Sequence, residues 1–230
     1  MKFLVIIPAR CGSKGIPFKN IVDVCGRPLV QYTIDLALQL KSSQLVDNII
    51  VSTDCKEIAK ISKKLGASVP FLRPDNISGD ESKSIEYIVH TLDFFEKMDL
   101  YYDAVILLQP TSPLKTYNDL TESIKLFNNE GNDSLISTYR EETINNLITY
   151  RKDGNIARPL DEKHNQGVRR QEHGSIYIRN GAIYITKVSY IRNNQKIVSD
   201  LPLMHEMNKN NSINIDTPED LEYLRNILCK

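Results

Sequence analysis

Residues 3–20 read FLVIIPARCGSKGIPFKN, an apolar run followed at once by a loop rich in glycine and positive charge. The run from Phe3 to Ile7 is short, continuous and rich in Ile and Val, which is typical of a central parallel strand buried on both faces. In α/β sheets, ligands bind in the loops beyond the carboxyl ends of such strands. The stretch therefore predicts an α/β fold whose first loop contributes to a ligand site.

The first loop carries three cations, Arg10, Lys14 and Lys19, among the glycines Gly12 and Gly15. Glycine lets the backbone approach a ligand closely, and several cations in one loop favour an anion such as a polyphosphate. From charge and glycine alone, a solvated surface loop explains the same residues equally well. The spacing excludes both a P-loop, which ends in Gly-Lys-Ser/Thr, and the motif G-x-G-x-x-G.

The rest of the chain alternates apolar strands with amphipathic helices, the βαβ order of a parallel sheet with right-handed crossovers. Residues 139–174 have no sustained apolar period and carry a hairpin-turn signal at residues 153–155, so they are expected to form an arm outside the sheet. The patterns predict further strands at residues 48–52, 67–72, 103–109, 134–138, 177–186 and 212–216, and helices at 28–40, 56–65, 84–98, 118–128, 188–194 and from 218 onward.

Composition narrows the class of protein. A chain of 230 residues can bury a full core as one domain, and its 29 basic and 29 acidic residues give no positive field, so neither nucleic acid nor an anionic membrane is expected as a partner. There is no long apolar run, and too few apolar residues precede Pro8 for a signal peptide. The four cysteines lack C-x-x-C spacing and indicate neither a zinc site nor a disulfide framework, so a cytoplasmic protein is expected.

Five segments resemble, in the same order, motifs of the CMP-sialic acid synthetases, the cytidylyltransferases that activate nine-carbon 2-keto acid sugars and include CMP-legionaminate and CMP-pseudaminate synthetases. The resemblance spans nearly the whole chain. It implies a Rossmann-like nucleotidyltransferase fold with a mostly parallel central sheet, formed by residues 1–230 as a single domain with a protruding dimerisation arm at about 139–174. The segments are IIPARCGSKGIPFKN (6–20), LRPDNISGDESKS (72–84), LLQPTSPL (107–114), RNGAIYI (179–185) and INIDTPEDL (213–221).

The resemblance implies attack of the sugar's anomeric hydroxyl on the α-phosphate of CTP, with release of pyrophosphate. Such a transfer needs in-line positioning and neutralisation of phosphate charge. By their match to the family's motifs, the catalytic cations facing the triphosphate are Arg10, Lys14 and Lys19. The wider nucleotide site comprises Arg10, Gly12, Ser13, Lys14, Lys19, Asn20, Arg73 and Ser84, the last two near the cytosine.

The acceptor sugar and the dimer are implied in the same way. The sugar pocket is expected to contain Gln109, Asn180 and Tyr184. An arm arginine, Arg170 or its neighbour Arg169, resembles one that the family delivers into the partner subunit's site, where a guanidinium suits a carboxylate or phosphate. A homodimer is therefore expected.

The metal site departs from the family pattern. Where the family has two aspartates one residue apart before a threonine, this chain has Asn214 and Asp216. These two residues are expected to hold Mg²⁺ together with substrate phosphates, from the same face of a strand and with one full charge fewer. A weaker dependence on Mg²⁺ follows as a hypothesis.

Other departures concern the sugar. Ile178 stands where the family often has arginine, and residues 196–198, Lys-Ile-Val, replace aromatic residues of sialate-specific members. N,N′-diacetyllegionaminate and pseudaminate are therefore candidates beside N-acetylneuraminate. Two other classes stay open: a nucleotide-sugar glycosyltransferase, for which residues 214–216 are a degraded Asp-x-Asp motif, and a non-catalytic nucleotide-binding module that binds CTP without releasing pyrophosphate.

Overall fold

The computed structural model describes residues 1–144, 146–166 and 175–229. Its helices are α1 (Leu29–Ser42), α2 (Lys56–Lys64), α3 (Ser84–Glu96), α4 (Tyr117–Glu130), α5 (Val188–Asn194) and α6 (Pro218–Leu228). Its strands are β1 (Phe3–Pro8), β2 (Asp23–Val24), β3 (Arg27–Pro28), β4 (Asn48–Ser52), β5 (Ala104–Leu108), β6 (Ser134–Glu141), β7 (Tyr150–Asp153), β8 (Ile156–Pro159), β9 (Ile176–Lys187) and β10 (Leu203–Glu206).

The central sheet has the strand order β10-β6-β9-β5-β1-β4 within the described residues. β1 pairs in parallel with β4 and β5, and β10 pairs in parallel with β6. β9 runs antiparallel between β5 and β6. The α/β fold with a mostly parallel sheet is therefore confirmed.

Both faces of β1 are buried, as its continuous apolar sequence predicts. Val5 and Ile7 pack into the core on one side of the sheet with α1, and Leu4 and Ile6 pack on the other side with α3. All four side chains have 0% relative exposure. The loop that leaves β1 consequently starts from a rigid, fully covered strand.

Helices α4 and α6 each begin at a capping threonine, whereas Pro28, predicted at the first position of α1, directly precedes that helix. Thr116 accepts a hydrogen bond from the backbone N–H of Asp119 at the start of α4, and Thr217 caps α6 in the same way through Asp220. Pro218 occupies the first turn of α6. Backbone N–H groups there have no partner within the helix, so the N–H that proline lacks is not needed. The predicted caps at residues 217 and 218 are thus confirmed.

Two predicted strands need correction, and one strand was missed. Residues 212–216 form no strand, so Asn214 and Asp216 do not share a strand face; the segment is held where the N–H of Ile215 donates to the carbonyl of Thr111 at 2.7 Å. Residues 67–72 make only an isolated bridge, between Ile50 and Ser68. The edge strand β10 was not predicted, because its four residues carry too short a pattern.

A disulfide joins Cys25, in the turn between β2 and β3, to Cys229 at the end of α6, with 5.3 Å between the two Cα atoms. The cysteine spacing indicated no disulfide framework, and the structure corrects that interpretation with this one bond. The two cysteines lie 204 residues apart, so local spacing carries no signal for their contact. Cys11 and Cys55 are free and half-buried.

The described part of residues 139–174 contains the predicted hairpin. β7 and β8 pair antiparallel from Tyr150 opposite Pro159 to Asp153 opposite Ile156, and every residue of both strands is exposed. β6 continues through Glu141, so the sheet extends further into the predicted arm than expected. Within the described residues, no helix is long and apolar enough to cross a membrane.

Candidate active site

The loops that follow β1, β4 and β5 meet at the carboxyl ends of these strands. The N–H of Ala9 donates to the carbonyl of Ser52 at 2.9 Å, and the N–H of Arg73 donates to the carbonyl of Thr53 at 2.7 Å. The segment before α6 joins them through the bond between Ile215 and Thr111. Together these segments enclose an open cavity of about 530 Å³, as expected for a ligand site in an α/β sheet.

The loop that follows β1, residues 9–20 and hereafter the basic loop, packs directly on the segment that carries Asp216. The Nζ of Lys19 donates to the carbonyl of Ile215 and to Oδ1 of Asp216, both at 2.8 Å. Gly15 lies so close to this segment that a Cβ added to it would overlap the carbonyl oxygen of Asp216. Glycine at position 15 therefore permits a close backbone approach between the two halves of the site.

The outer cations of the loop are bridged by a carboxylate. Oδ1 of Asp80 lies 2.7 Å from Nη1 of Arg10, and Oδ2 lies 3.2 Å from Nζ of Lys14. These hydrogen bonds, first from Arg10 and then from Lys14, hold the pKa of Asp80 below its usual value. Asn20, which is buried, donates to the carbonyl of Arg10 at 2.9 Å and so fixes the backbone beneath these contacts.

Arg73 is a buried cation on the opposite wall, only 5% exposed. Its Nε and Nη2 donate to the Oγ and carbonyl of Ser52 at 3.1 and 2.7 Å, and its guanidinium carbon lies 4.3 Å from the centre of the Tyr87 ring. Burial lowers the pKa of Arg73, while Tyr87 and Asp54 act in the opposite direction. The fixed guanidinium retains further N–H groups with which to bind a ligand.

A second group of predicted residues gathers around Gly181. This glycine has a φ of +76°, and both Oε1 of Gln109 and the hydroxyl of Tyr184 lie within 4 Å of the position its Cβ would take. Asn180 is buried beside them, but its amide is bonded to Ser137 at 2.6 Å and to Ser212 at 2.9 Å. Asn180 thus holds β9 to its neighbours rather than presenting free donors to the cavity.

The predicted metal ligands adjoin each other. The Nδ2 of Asn214 donates to Oδ2 of Asp216, whose other oxygen binds Lys19. Asp220 supports them by accepting hydrogen bonds from the N–H groups of Asp216 at 3.0 Å and Thr217 at 2.8 Å. The described residues contain no cluster of three His, Cys, Asp or Glu side chains that could hold a metal alone. One carboxylate beside a phosphate site does fit Mg²⁺, which shares its coordination with substrate phosphates and water.

Lys115 is fully buried below this site. Its Nζ donates to the carbonyls of Gln109 and Ser112 at 2.8 and 2.7 Å and to Oγ1 of Thr33 at 3.0 Å. Burial lowers the pKa of Lys115 to about 7. The lysine therefore ties the turn after β5, which carries Gln109, to helix α1.

The lowered pKa of Lys115 predicts a pH-dependent stability. Between pH 7 and about 10, the unfolded chain binds a proton that the folded chain lacks, and the neutral amine of Lys115 keeps two N–H groups for the carbonyls while accepting from the hydroxyl of Thr33. The free energy of unfolding should therefore rise with pH by up to about 1.4 kcal/mol per unit. Urea unfolding at pH 6.5, 8 and 9.5 should show that Lys115→Met removes this rise. Lys125→Met, on the exposed side of α4, should retain it. Equal pH dependence in both variants would contradict the prediction.

The structure brings most predicted nucleotide residues into one cavity. Gly12 lies in the same loop without lining it, and Arg169 and Arg170 lie outside the described residues. Sequence reasoning missed the roles of Asp80 and Tyr87, although Asp80 lies inside one of the quoted motifs. The predicted residues that line the cavity are Arg10, Ser13, Lys14, Lys19, Asn20, Arg73, Ser84, Gln109 and Asp216.

Comparison with known proteins agrees with this geometry. The sequence profile of a family described as Cytidylyltransferase matches residues 4–229. This chain belongs to the cytidylyltransferase family. A CMP-N,N′-diacetyllegionaminic acid synthase of Legionella pneumophila is 34% identical to this cytidylyltransferase over 226 residues, covering 96% of this chain and 93% of that protein.

Two other relatives act on different sugars, judging by their names. A pseudaminic acid cytidylyltransferase of Campylobacter jejuni is 32% identical, covering 98% of this chain and 95% of the relative. An N-acylneuraminate cytidylyltransferase of Escherichia coli is 32% identical, covering 96% of this chain but 51% of the longer relative. Their identities to this cytidylyltransferase are too similar to distinguish among the acceptor sugars.

Solved structures share the fold at low sequence identity. CMP:2-keto-3-deoxy-manno-octonic acid synthetase complexed with CTP has a TM-score of 0.72 and 17% identity, covering 100% of this chain and 99% of its own. A 4-diphosphocytidyl-2C-methyl-D-erythritol synthase has a TM-score of 0.69 and 11% identity, with 99% of each chain covered. These similarities establish the nucleotidyltransferase fold of this cytidylyltransferase.

Proposed function

We propose that this chain transfers CMP from CTP to the anomeric hydroxyl of a nine-carbon 2-keto acid sugar and releases pyrophosphate. The observation that carries the proposal is the single cavity in which three cations of the first loop face Asp216 and the buried Arg73. Membership of the cytidylyltransferase family and the names of three relatives support the same reaction.

The nucleotide is assigned to the half of the cavity nearest β1 and β4. Arg10, Lys14 and Lys19 bind the triphosphate and neutralise the charge that builds up as pyrophosphate leaves. Arg73 is held by Ser52 and Tyr87, so it can offer fixed donors to the cytosine without reorganisation. Ser84, at the start of α3, lies on the same wall.

The acceptor sugar is assigned to the side of Gln109 and Tyr184. A hydroxyl and an amide that converge on Gly181 are suited to hydrogen-bonding a polyhydroxylated acid. Ile197 and Val198, from the segment where sialate-specific members have aromatic residues, lie at the other end of the sheet, because the carbonyl of Ile197 accepts a hydrogen bond from Thr186, which pairs with Val105 near the start of β5. They therefore do not select the acceptor, and we propose N,N′-diacetyllegionaminate, pseudaminate and N-acetylneuraminate as the candidate acceptors.

Mg²⁺ is proposed as the cofactor. Asp216 would hold it directly, with Asn214 contributing a carbonyl oxygen or a bound water, and the ion would neutralise phosphate charge. Lys19 already contacts Asp216 at 2.8 Å, so the chain itself orients this carboxylate toward the phosphate loop.

Asn214→Asp restores the second carboxylate of the family pattern. We expect the Mg²⁺ concentration for half-maximal rate to fall several-fold, because charge count tunes the affinity of oxygen-ligand sites. Initial rates measured against Mg²⁺ concentration test this, with Asn210→Asp as a control that adds the same charge at an exposed position. An unchanged half-saturation in Asn214→Asp would remove Asn214 from the metal site.

A homodimer is proposed from the apolar surface of the arm. Ile148, Tyr150, Ile156 and Leu160 are 44 to 64% exposed on and beside the hairpin, a concentration that favours burial against another copy. The arm arginine, Arg170 or Arg169, would then reach the partner subunit's acceptor. A cytoplasmic location stays a prediction, and the Cys25–Cys229 disulfide is uncommon in reducing compartments.

Ile156→Asp should weaken this dimer by at least about tenfold, because a carboxylate would be buried in an apolar contact. Sedimentation over a range of concentrations measures the effect. Leu201→Asp is the matched control, since Leu201 is 84% exposed and lies outside the arm. A parent protein that stays monomeric at all concentrations would reject the dimer.

The reaction is tested by pyrophosphate release from CTP and Mg²⁺ with four acids in parallel: N,N′-diacetyllegionaminate, pseudaminate, N-acetylneuraminate and 3-deoxy-manno-octulosonate. We expect strong preference for one of the three nine-carbon acids, which would identify the sugar. Preference for 3-deoxy-manno-octulosonate would keep the cytidylyl transfer and correct the size of the acceptor. CTP binding without release in any mixture would instead identify a non-catalytic nucleotide-binding protein.

A further inference from the structure

The carboxylate of Asp80 occupies the two outer cations of the basic loop at once. Its two oxygens bind different partners, with Oδ1 at 2.7 Å from Arg10 and Oδ2 at 3.2 Å from Lys14. One carboxylate therefore bridges two positive side chains, as a phosphate group would do. Both cations belong to the set that we assign to the triphosphate, so this inference rests on the proposed nucleotide site.

Asp80 lies on a surface segment that covers the cavity. Gly79, Asp80 and Ser82 line the cavity wall between the short turn at residues 75–77 and the start of α3. Residues 79–81 are exposed, and Asp80 itself keeps 39% of its side-chain surface in solvent. The carboxylate of Asp80 contacts the basic loop through its ion pairs with Arg10 and Lys14. When these ion pairs break, the segment can separate from the basic loop.

We propose that Asp80 is an internal counter-anion, which holds Arg10 and Lys14 in the empty site and is displaced by the phosphates of CTP. The triphosphate and Asp80 compete for the same two cations, because two anions cannot share these donors without mutual repulsion. Each nucleotide must therefore break the contacts of Asp80 before it gains its own, and its apparent affinity is reduced accordingly.

The same competition acts on the product. Pyrophosphate leaves a cluster of cations that would otherwise hold it strongly, and the return of Asp80 to Arg10 and Lys14 replaces the lost anion. Asp80 thus favours product release at the expense of nucleotide affinity. It is a positioning residue in this account, since it acts through the two cations and makes no contact with the reacting atoms.

Asp80→Asn tests the inference, because asparagine keeps the shape and removes the charge. We expect inorganic pyrophosphate to bind about three- to tenfold more tightly, and CTP with Mg²⁺ to bind more tightly by a similar factor, in line with the modest strength of part-exposed ion pairs. Titration calorimetry measures both affinities, with EDTA present in the pyrophosphate experiment. Inhibition by pyrophosphate during turnover should strengthen in parallel.

Glu81→Gln is the matched control. Glu81 is exposed beside Asp80, and no ion pair within the described part of the chain includes it, so its loss changes net charge equally without freeing Arg10 or Lys14. We expect its affinities to match those of the parent. Asp80→Ser provides a second variant, and thermal unfolding establishes that each variant is folded before titration.

The alternatives give different results. If Asp80 were a metal ligand instead, Asp80→Asn would weaken binding of CTP with Mg²⁺ and leave metal-free pyrophosphate unchanged, which would overturn the inference. Equal tightening in Asp80→Asn and Glu81→Gln would reduce it to a general charge effect and overturn it as well. A parent protein that binds neither CTP nor pyrophosphate would overturn the nucleotide site itself, a failure distinct from unchanged affinities in Asp80→Asn.

Discussion

Replacing Gly15 with alanine is expected to lower turnover by about a hundredfold or more and to destabilise the protein by about 1 to 3 kcal/mol. A Cβ at this position would overlap the backbone carbonyl of Asp216, and backbone cannot move aside as the end of a flexible side chain can. The basic loop and the segment of Asp216 must therefore separate. That separation would stretch the two hydrogen bonds of Lys19 on which the site geometry depends.

The measurement for Gly15→Ala combines urea unfolding with the rate of pyrophosphate release. Gly12→Ala is the steric control, because its Cβ would come no closer than 3.9 Å to the guanidinium of Arg10. We expect Gly12→Ala to unfold at the same urea concentration as the parent. Parent-like stability and turnover in Gly15→Ala would mean that the basic loop and the segment of Asp216 are not in close contact at Gly15.

Lys19→Ala is expected to reduce turnover by roughly 10² to 10³, with the fold retained. A donor that acts on charge developing in the transition state is typically worth about 3 to 4 kcal/mol. Lys19 is only 12% exposed, and it joins the basic loop to Asp216, the proposed metal ligand. Water therefore cannot easily substitute for it. The loss should appear mainly in kcat, because the interaction strengthens as pyrophosphate departs.

Steady-state kinetics with saturating CTP and acceptor measure the effect of Lys19→Ala. Lys64→Ala, which removes an exposed lysine at the end of α2, should retain the parent's kcat. Lys19→Arg keeps the positive charge but changes the contact geometry, because the planar guanidinium cannot reproduce the two 2.8 Å contacts of the ammonium. Undiminished kcat in Lys19→Ala would exclude a catalytic role.

The fold was predictable where each element carries its own signal. β1, β4 and β5 are short apolar runs. Because these strands are buried on both faces, polar residues do not alternate with apolar ones, and each run is recognised as a buried strand. The helices combine apolar periodicity with cap residues such as Thr217 and Pro218. Local patterns of this kind report burial and chain direction, which suffices for the order of elements.

Long-range pairing was not predictable. β9 runs antiparallel to β5 and β6, and the apolar sequence of a strand does not indicate whether it pairs in parallel or antiparallel. The pairing of Cys25 with Cys229 likewise depends on where α6 docks, which no local spacing records. β10 is a four-residue edge strand with half of its residues exposed, so its pattern resembles a loop.

Only part of the candidate site could be predicted: several residues that line the cavity were named, their contacts were not, and their roles stay predictions. The resemblance named Arg10, Lys19 and Arg73, and all three line one cavity. It could not indicate that the amide of Asn180 is occupied by Ser137 and Ser212, because hydrogen-bond partners depend on which rotamers the packed core permits. The bridging contacts of Asp80 were missed because Arg10 and Lys14 lie far from it in the sequence.

The disulfide bears on how helix α6 can unfold. Helix α6 starts two residues after Asp216 and ends at Leu228, so it is held by the Thr217 cap at one end and by the disulfide of Cys229 directly after the other. Terminal helices usually fray independently, but here fraying must also move the β2–β3 turn. Closing a ring of this size removes about 5 kcal/mol of unfolded-state entropy in the chain-entropy treatment. Amide hydrogens of α6 should consequently exchange together with those of the first hairpin, and the backbone that supports Asp216 shares their protection.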